Sequence, residues 1–179
     1  AAMTTALEAI AAHADKVDGI KISLLDADRE VEMRRRLPDG VRMYSGDDFN
    51  FADLILGDDQ GYSDALLGIF DAIAPAAAAS LSALADGDEA AFRAALDPTV
   101  PLSRHVFAAP TRFYKTGIVF LAWLNGHQDH FTMVGGQESA RSVLHLCEAA
   151  RLADQARLIV DPDRAAACLR DFLAVHGVA

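Results

Sequence analysis

The chain has 179 residues, enough for one domain with a real core. Hydrophobic residues make up 52% of it, alanine is heavily used, and the net charge of −10 argues against a nucleic-acid partner. No apolar run reaches the roughly 18 residues of a membrane span, and the start lacks a signal-peptide pattern. A soluble cytoplasmic protein with no membrane contact is expected. Cys147 and Cys168, both in helical segments, fit the buried thiols of a reducing compartment.

In chain order, the first predicted element is a helix over 5–15, capped by Thr4 or Thr5 with Glu8 in the capping-box position. A strand over 17–23 follows, short, apolar and β-branched. Residues 27–36 have helical composition and a basic end, Arg34-Arg35-Arg36, which suits a helix C-terminus. A second strand over 41–45 stops at Gly46-Asp47-Asp48. Strand, helix and strand within about 30 residues make a βαβ pattern. A short helix over 50–56, capped by Asn50, and a turn over 57–61 lead to the apolar run 65–70, which reads as a third, buried strand.

From Pro75 onward the pattern is helical. Helices are expected over 75–85, with Pro75 in the first turn, over 88–96 capped by Asp88, and over 98–107. Further helices are expected over 111–124 and 138–158, and a last one capped by Asp161-Pro162. The expected organisation is an α/β part over 1–74 and an all-helical part over 75–179, with no strand after Phe70. Three parallel strands make a poor sheet alone, and the first would present an open edge. The chain therefore reads as a fragment, or as one whose sheet is completed by another chain or segment.

Lys21 is one of three lysines, with Lys16 and Lys115, and it alone sits inside an apolar strand. A buried ammonium is costly, so such a lysine loses its proton or finds a partner. Two roles stay open: a nucleophilic amine that forms a Schiff base, or a side chain paired with a carboxylate at the sheet end. Asp47 and Asp48 follow the second strand. They can line a site or simply accept backbone N–H bonds in the turn. His127 and His130 could hold a metal or hydrogen-bond within their loop; no metal is expected there. Arg104-His105 and Arg112-Phe113-Tyr114-Lys115 form the one dense basic-aromatic patch, suited to an anionic group or to packing.

Taken together, Gly19-Ile20-Lys21, Ser45-Gly46-Asp47-Asp48 and the run from Gly61 into 65–70 resemble strands six to eight of the dihydrodipicolinate synthase / N-acetylneuraminate lyase family. Val100-Pro101-Leu102 and Ala109-Pro110-Thr111 fall where that family has C-terminal helices. The phrases DGIKISLLDAD, YSGDDFN and NGHQDHF are similar to an actinobacterial dihydrodipicolinate-synthase-like group. The resemblance implies the C-terminal part of a (β/α)8 barrel followed by a helical region. It implies that Lys21 is the Schiff-base lysine, attacking the carbonyl of a 2-oxo acid such as pyruvate without a cofactor. Ser23, Gly46, Asp47, Asp48 and Gly68 would then line the substrate pocket. The family places Glu-Ala or a similar pair after the lysine where this chain has Ile22-Ser23. The family's catalytic tyrosine and carboxylate-binding motif lie in a preceding half with no counterpart here, so little turnover is expected of this chain alone. The competing expectation is a non-catalytic relative whose helices mediate oligomerisation. Either way, a homo-oligomer or pairing with an N-terminal half is expected.

Overall fold

The structure, a computed structural model, describes residues 2–178. It begins with α1 (Ala2–Ala12), β1 (Gly19–Ile22), α2 (Ala27–Arg34), β2 (Arg42–Ser45), α3 (Phe51–Leu56) and β3 (Asp64–Ala65). It continues through α4 (Phe70–Ala85), α5 (Glu89–Leu96), α6 (Val100–Val106), α7 (Tyr114–Leu124), α8 (Val143–Gln155) and α9 (Pro162–Val175). Short 3₁₀ turns occupy Asp97–Thr99, Thr111–Phe113 and Val134–Ala140. The three strands form one parallel sheet in the order β1-β2-β3. Lys21 pairs with Tyr44 and Ile22 with Ser45, while Ser45 pairs with Ala65.

Helix starts follow local chemistry. Asp26, Asp88, Ser142 and Asp161 each accept a backbone N–H of the first turn of α2, α5, α8 and α9. These caps satisfy donors that have no partner inside the helix. Strand alternation does the rest in the sheet. Ile20 and Ile22 pack with Leu7 and Ile10 of α1, Met33 of α2 and Met43 of β2. Lys21, between them in sequence, therefore belongs to the opposite face, which α1 and α2 leave uncovered.

The expected barrel portion is not present. About 60% of the residues are helical and the sheet is small. The run 65–70, read as a third full strand, contributes only the two residues of β3, and its end already starts α4. The main core is a helical one, in which Phe51, Ile55, Leu67 and Ile69 pack with Phe92, Leu102, Phe120, Leu146 and Phe172. Ala65, Leu67, Ile69 and Phe70 serve this core rather than a barrel wall, and Leu66 is exposed. Helix boundaries also differ: α1 runs over Ala2–Ala12 rather than 5–15, which puts Thr4 and Thr5 inside the helix rather than at its cap. Pro75 lies inside α4, five residues after its start at Phe70, and the chain kinks at Ile73 (φ −123°, ψ 21°) to tolerate it. The helix expected from 138 starts only at Val143. Before it, Gly135 and Gly136 adopt φ of 69° and 70°, and Ser142 supplies the cap. Among the described residues no helix is long and apolar enough to cross a membrane.

Candidate functional site

The C-terminal ends of β1 and β2 open into a cleft of about 210 Å³. Its lining includes Lys21, Ser23, Gly46, Asp48 and Gly68, together with Arg112 and Tyr114 from the segment entering α7. Five of the six residues singled out from sequence thus meet at one place. Asp47, the sixth, is buried beside the cleft and turned into its own loop. Its Oδ1 accepts the Phe49 and Asn50 N–H groups at 2.8 and 2.9 Å, and its Oδ2 accepts the Asn50 side-chain amide at 3.0 Å. That is a turn-building role.

Lys21 differs from the expectation of an enclosed amine. It is exposed on the uncovered face of the sheet, with the cleft beside it. Its aliphatic stem runs over Gly46. A Cβ at that position would meet the Lys21 Cε and the Ser23 Oγ, and would lie 2.8 Å from the Ile22 carbonyl oxygen. Glycine is thus what lets β2 end directly under the lysine. Gly68 plays the matching part on the other wall. A Cβ there would come within 2.8 Å of Phe107 Cζ and 3.2 Å of Tyr114 Cε2. Those two rings stack with centroids 4.4 Å apart.

Asp48 is the acid of the site. It is only 5% exposed, and its Oδ1 accepts the Ile69 N–H at 2.8 Å. Its backbone carbonyl accepts the buried Ser103 hydroxyl, tying it to α6. Burial raises its pKa from 3.8 to about 6; the Ile69 N–H and the positive charge of Lys21 hold it back, and the Asp47 charge adds to the rise. A carboxyl that titrates near neutrality beside an amine can both give and take a proton. Behind the sheet end lies a second buried acid, Glu30, which accepts the Ser45 hydroxyl at 3.1 Å. Its pKa is raised, chiefly by burial.

The segment 107–114 forms a wall of this site; of it, the sequence offered only the basic-aromatic patch that starts at Arg112, as a binder of an anionic group or as packing. Arg141 holds the segment in place. Its guanidinium donates to the carbonyl oxygens of Val106, Ala108, Ala109 and Pro110. No sequence signal near Arg141 points to acceptors some 30 residues back. The other candidates do not form sites. His130 Nδ1 accepts the Thr132 N–H at 3.2 Å, within its own loop, and His127 lies instead on the rim of a larger cavity. That cavity, about 630 Å³ among alanines of α4 and α5, has its polar wall committed to structure: the Asn125 side-chain amide donates to the Leu158 carbonyl at 3.1 Å and its Oδ1 accepts the Val160 N–H at 2.9 Å. Among the described residues no group of three histidine, cysteine, aspartate or glutamate side chains could hold a metal ion.

The cleft therefore combines an exposed amine, a carboxyl of raised pKa, a guanidinium and a phenol. No curated protein matches the chain. The family model described as Protein of unknown function (DUF993) matches residues 1–178, and the chain belongs to that family.

Proposed function

We propose that Lys21 is the nucleophile of a Schiff-base lyase or aldolase acting on a 2-oxo acid such as pyruvate. The observation that carries this reading is the meeting of Lys21 with Asp48 in one cleft at the strand ends. The amine nitrogen adds to the carbonyl carbon, Asp48 carries protons to and from the intermediate, and the carbonyl oxygen leaves as water. The resulting iminium accepts the electron pair of a breaking carbon–carbon bond, and in reverse the enamine supplies the pair that forms one. Hydrolysis returns the free amine. The resemblance of the Lys21, Gly46 and Gly68 segments to the dihydrodipicolinate synthase / N-acetylneuraminate lyase family supports the same chemistry, and it does so without the barrel. A cytoplasmic setting fits the free thiols of Cys147 and Cys168.

Incubation with pyruvate and a mild borohydride, followed by intact mass, tests the proposal. The expected product gains the mass of pyruvic acid less one oxygen atom, and Lys21→Ala abolishes the gain. An unmodified wild-type chain overturns it.

A second reading, in which the chain works through assembly, draws on exposed apolar side chains. Leu24 and Leu66 stand by the sheet, and Leu144 and Val175 stand on α8 and α9. The free edge of β1 invites pairing with another chain. Sedimentation across a concentration series tests it, and a strictly monomeric chain rules it out.

A further inference from the structure

Arg112 shares the cleft with Lys21 and has no carboxylate partner. Its guanidinium lies 4.5 Å from the Phe113 ring centroid, and among the described residues it enters no ion pair and no hydrogen bond. Elsewhere the arginines nearest the sheet are committed: Arg34 and Arg35 to Asp58, Arg36 to Glu32 and Arg42 to Asp18. The cleft lining holds two cations, Lys21 and Arg112, against one acid, Asp48, in a chain whose net charge is −10. Such a local reversal of sign attracts an anion.

The segment that presents Arg112 is also fixed in advance. Arg141 clasps the carbonyl oxygens that immediately precede Thr111, and the Thr111 hydroxyl donates to the Phe107 carbonyl at 3.2 Å. On the other side, Tyr114 is stacked on Phe107 against Gly68. A planar guanidinium held on a braced segment is suited to a planar carboxylate, which it meets with two parallel hydrogen bonds. A 2-oxo acid carries its carboxylate on the carbon next to the carbonyl. We infer that Arg112 anchors the carboxylate of the oxo acid whose carbonyl Lys21 attacks, and so sets the preference for an anionic over a neutral carbonyl compound. This rests on the amine chemistry proposed above.

Two probes separate the anchor from the chemistry. Oxamate, a pyruvate isostere whose amide carbonyl forms no Schiff base, is titrated into wild type, Arg112→Met and Arg112→Lys by calorimetry, with lactamide as the uncharged control. Trapping with cyanoborohydride is then compared for pyruvate and the neutral hydroxyacetone. The expected result is saturable oxamate binding that weakens by about tenfold or more in Arg112→Met and partly returns in Arg112→Lys. Lactamide is not bound. Pyruvate trapping slows by a similar factor, while hydroxyacetone trapping changes less than about twofold. Oxamate that fails to bind wild type, or binds the Arg112→Met variant equally well, overturns the anchor. Oxamate binding through Arg112 in a protein that is never trapped overturns the amine chemistry instead and leaves the anchor standing. The Arg112 side chain is exposed and, among the described residues, enters no hydrogen bond or ion pair, so both variants are expected to fold.

Discussion

Asp48→Asn should stabilise the protein at neutral pH and not in acid. In the folded chain the Asp48 carboxyl is buried and titrates at about 6, against 3.8 for the ordinary side chain. A rise of about two units corresponds to about 3 kcal/mol in favour of the protonated form. The folded state thus holds this proton more tightly than the unfolded state. Its contribution is fully present below pH 3.8 and is lost as the pH rises through about 6. Asparagine is neutral throughout, and its Oδ1 can still accept the Ile69 N–H. The difference in unfolding free energy between variant and wild type should therefore grow by about 2 to 3 kcal/mol between pH 4 and pH 7, then level off. Urea titrations followed by Trp123, the single tryptophan, measure it. Glu30 shifts in the same direction but is common to both proteins and cancels. A difference that stays constant with pH, or that turns against the variant above pH 6, refutes the burial argument.

Gly46→Ala should cost about 1–3 kcal/mol and slow pyruvate trapping, because the new methyl meets the Ile22 carbonyl and displaces the Lys21 stem; urea midpoints and intact mass read both effects. Ser103→Ala should cost about 1–3 kcal/mol, since it leaves the buried Asp48 carbonyl without its donor. Lys21→Ala, at an exposed position, should leave the urea midpoint within about 0.5 kcal/mol of wild type while ending all trapping. His145, half-buried and stacked on His105 with ring centroids 4.0 Å apart, should titrate at about 4 in an NMR pH series, depressed first by burial and then by the His105 charge. The stability linked to His145 is present above its unfolded value of 6.5 and lost as the pH falls towards 4.

The first half of the site was legible in sequence because it is local. Local pattern marks Lys21 inside β1 and the Gly46-Asp47-Asp48 stop after β2, while Ser23 and Gly68 joined them only through what the family resemblance implies. Asp47 fell to the turn, which was the alternative its position already allowed. The third strand was misread because a short apolar run looks alike whether it fills a sheet or begins a buried helix; here Leu67 and Ile69 pack into the helical core. The (β/α)8 expectation came from the family resemblance, which took that run as strand eight. The depth of Lys21 was misjudged for a related reason. An apolar strand was assumed to be covered on both faces, but α1 and α2 cover only one. The wall formed by Phe107, Thr111, Arg112 and Tyr114 reaches the site only through tertiary packing, fastened by Arg141. Nothing in the local pattern of either segment encodes that contact.

The most direct test is a tryptic map of protein reduced in the presence of pyruvate. Lys16 and Lys115 serve as internal controls on the same molecule. The account predicts the added mass on the peptide carrying Lys21 and its absence from the other two lysines. Label spread evenly over all three, or confined to Lys16 or Lys115, contradicts it.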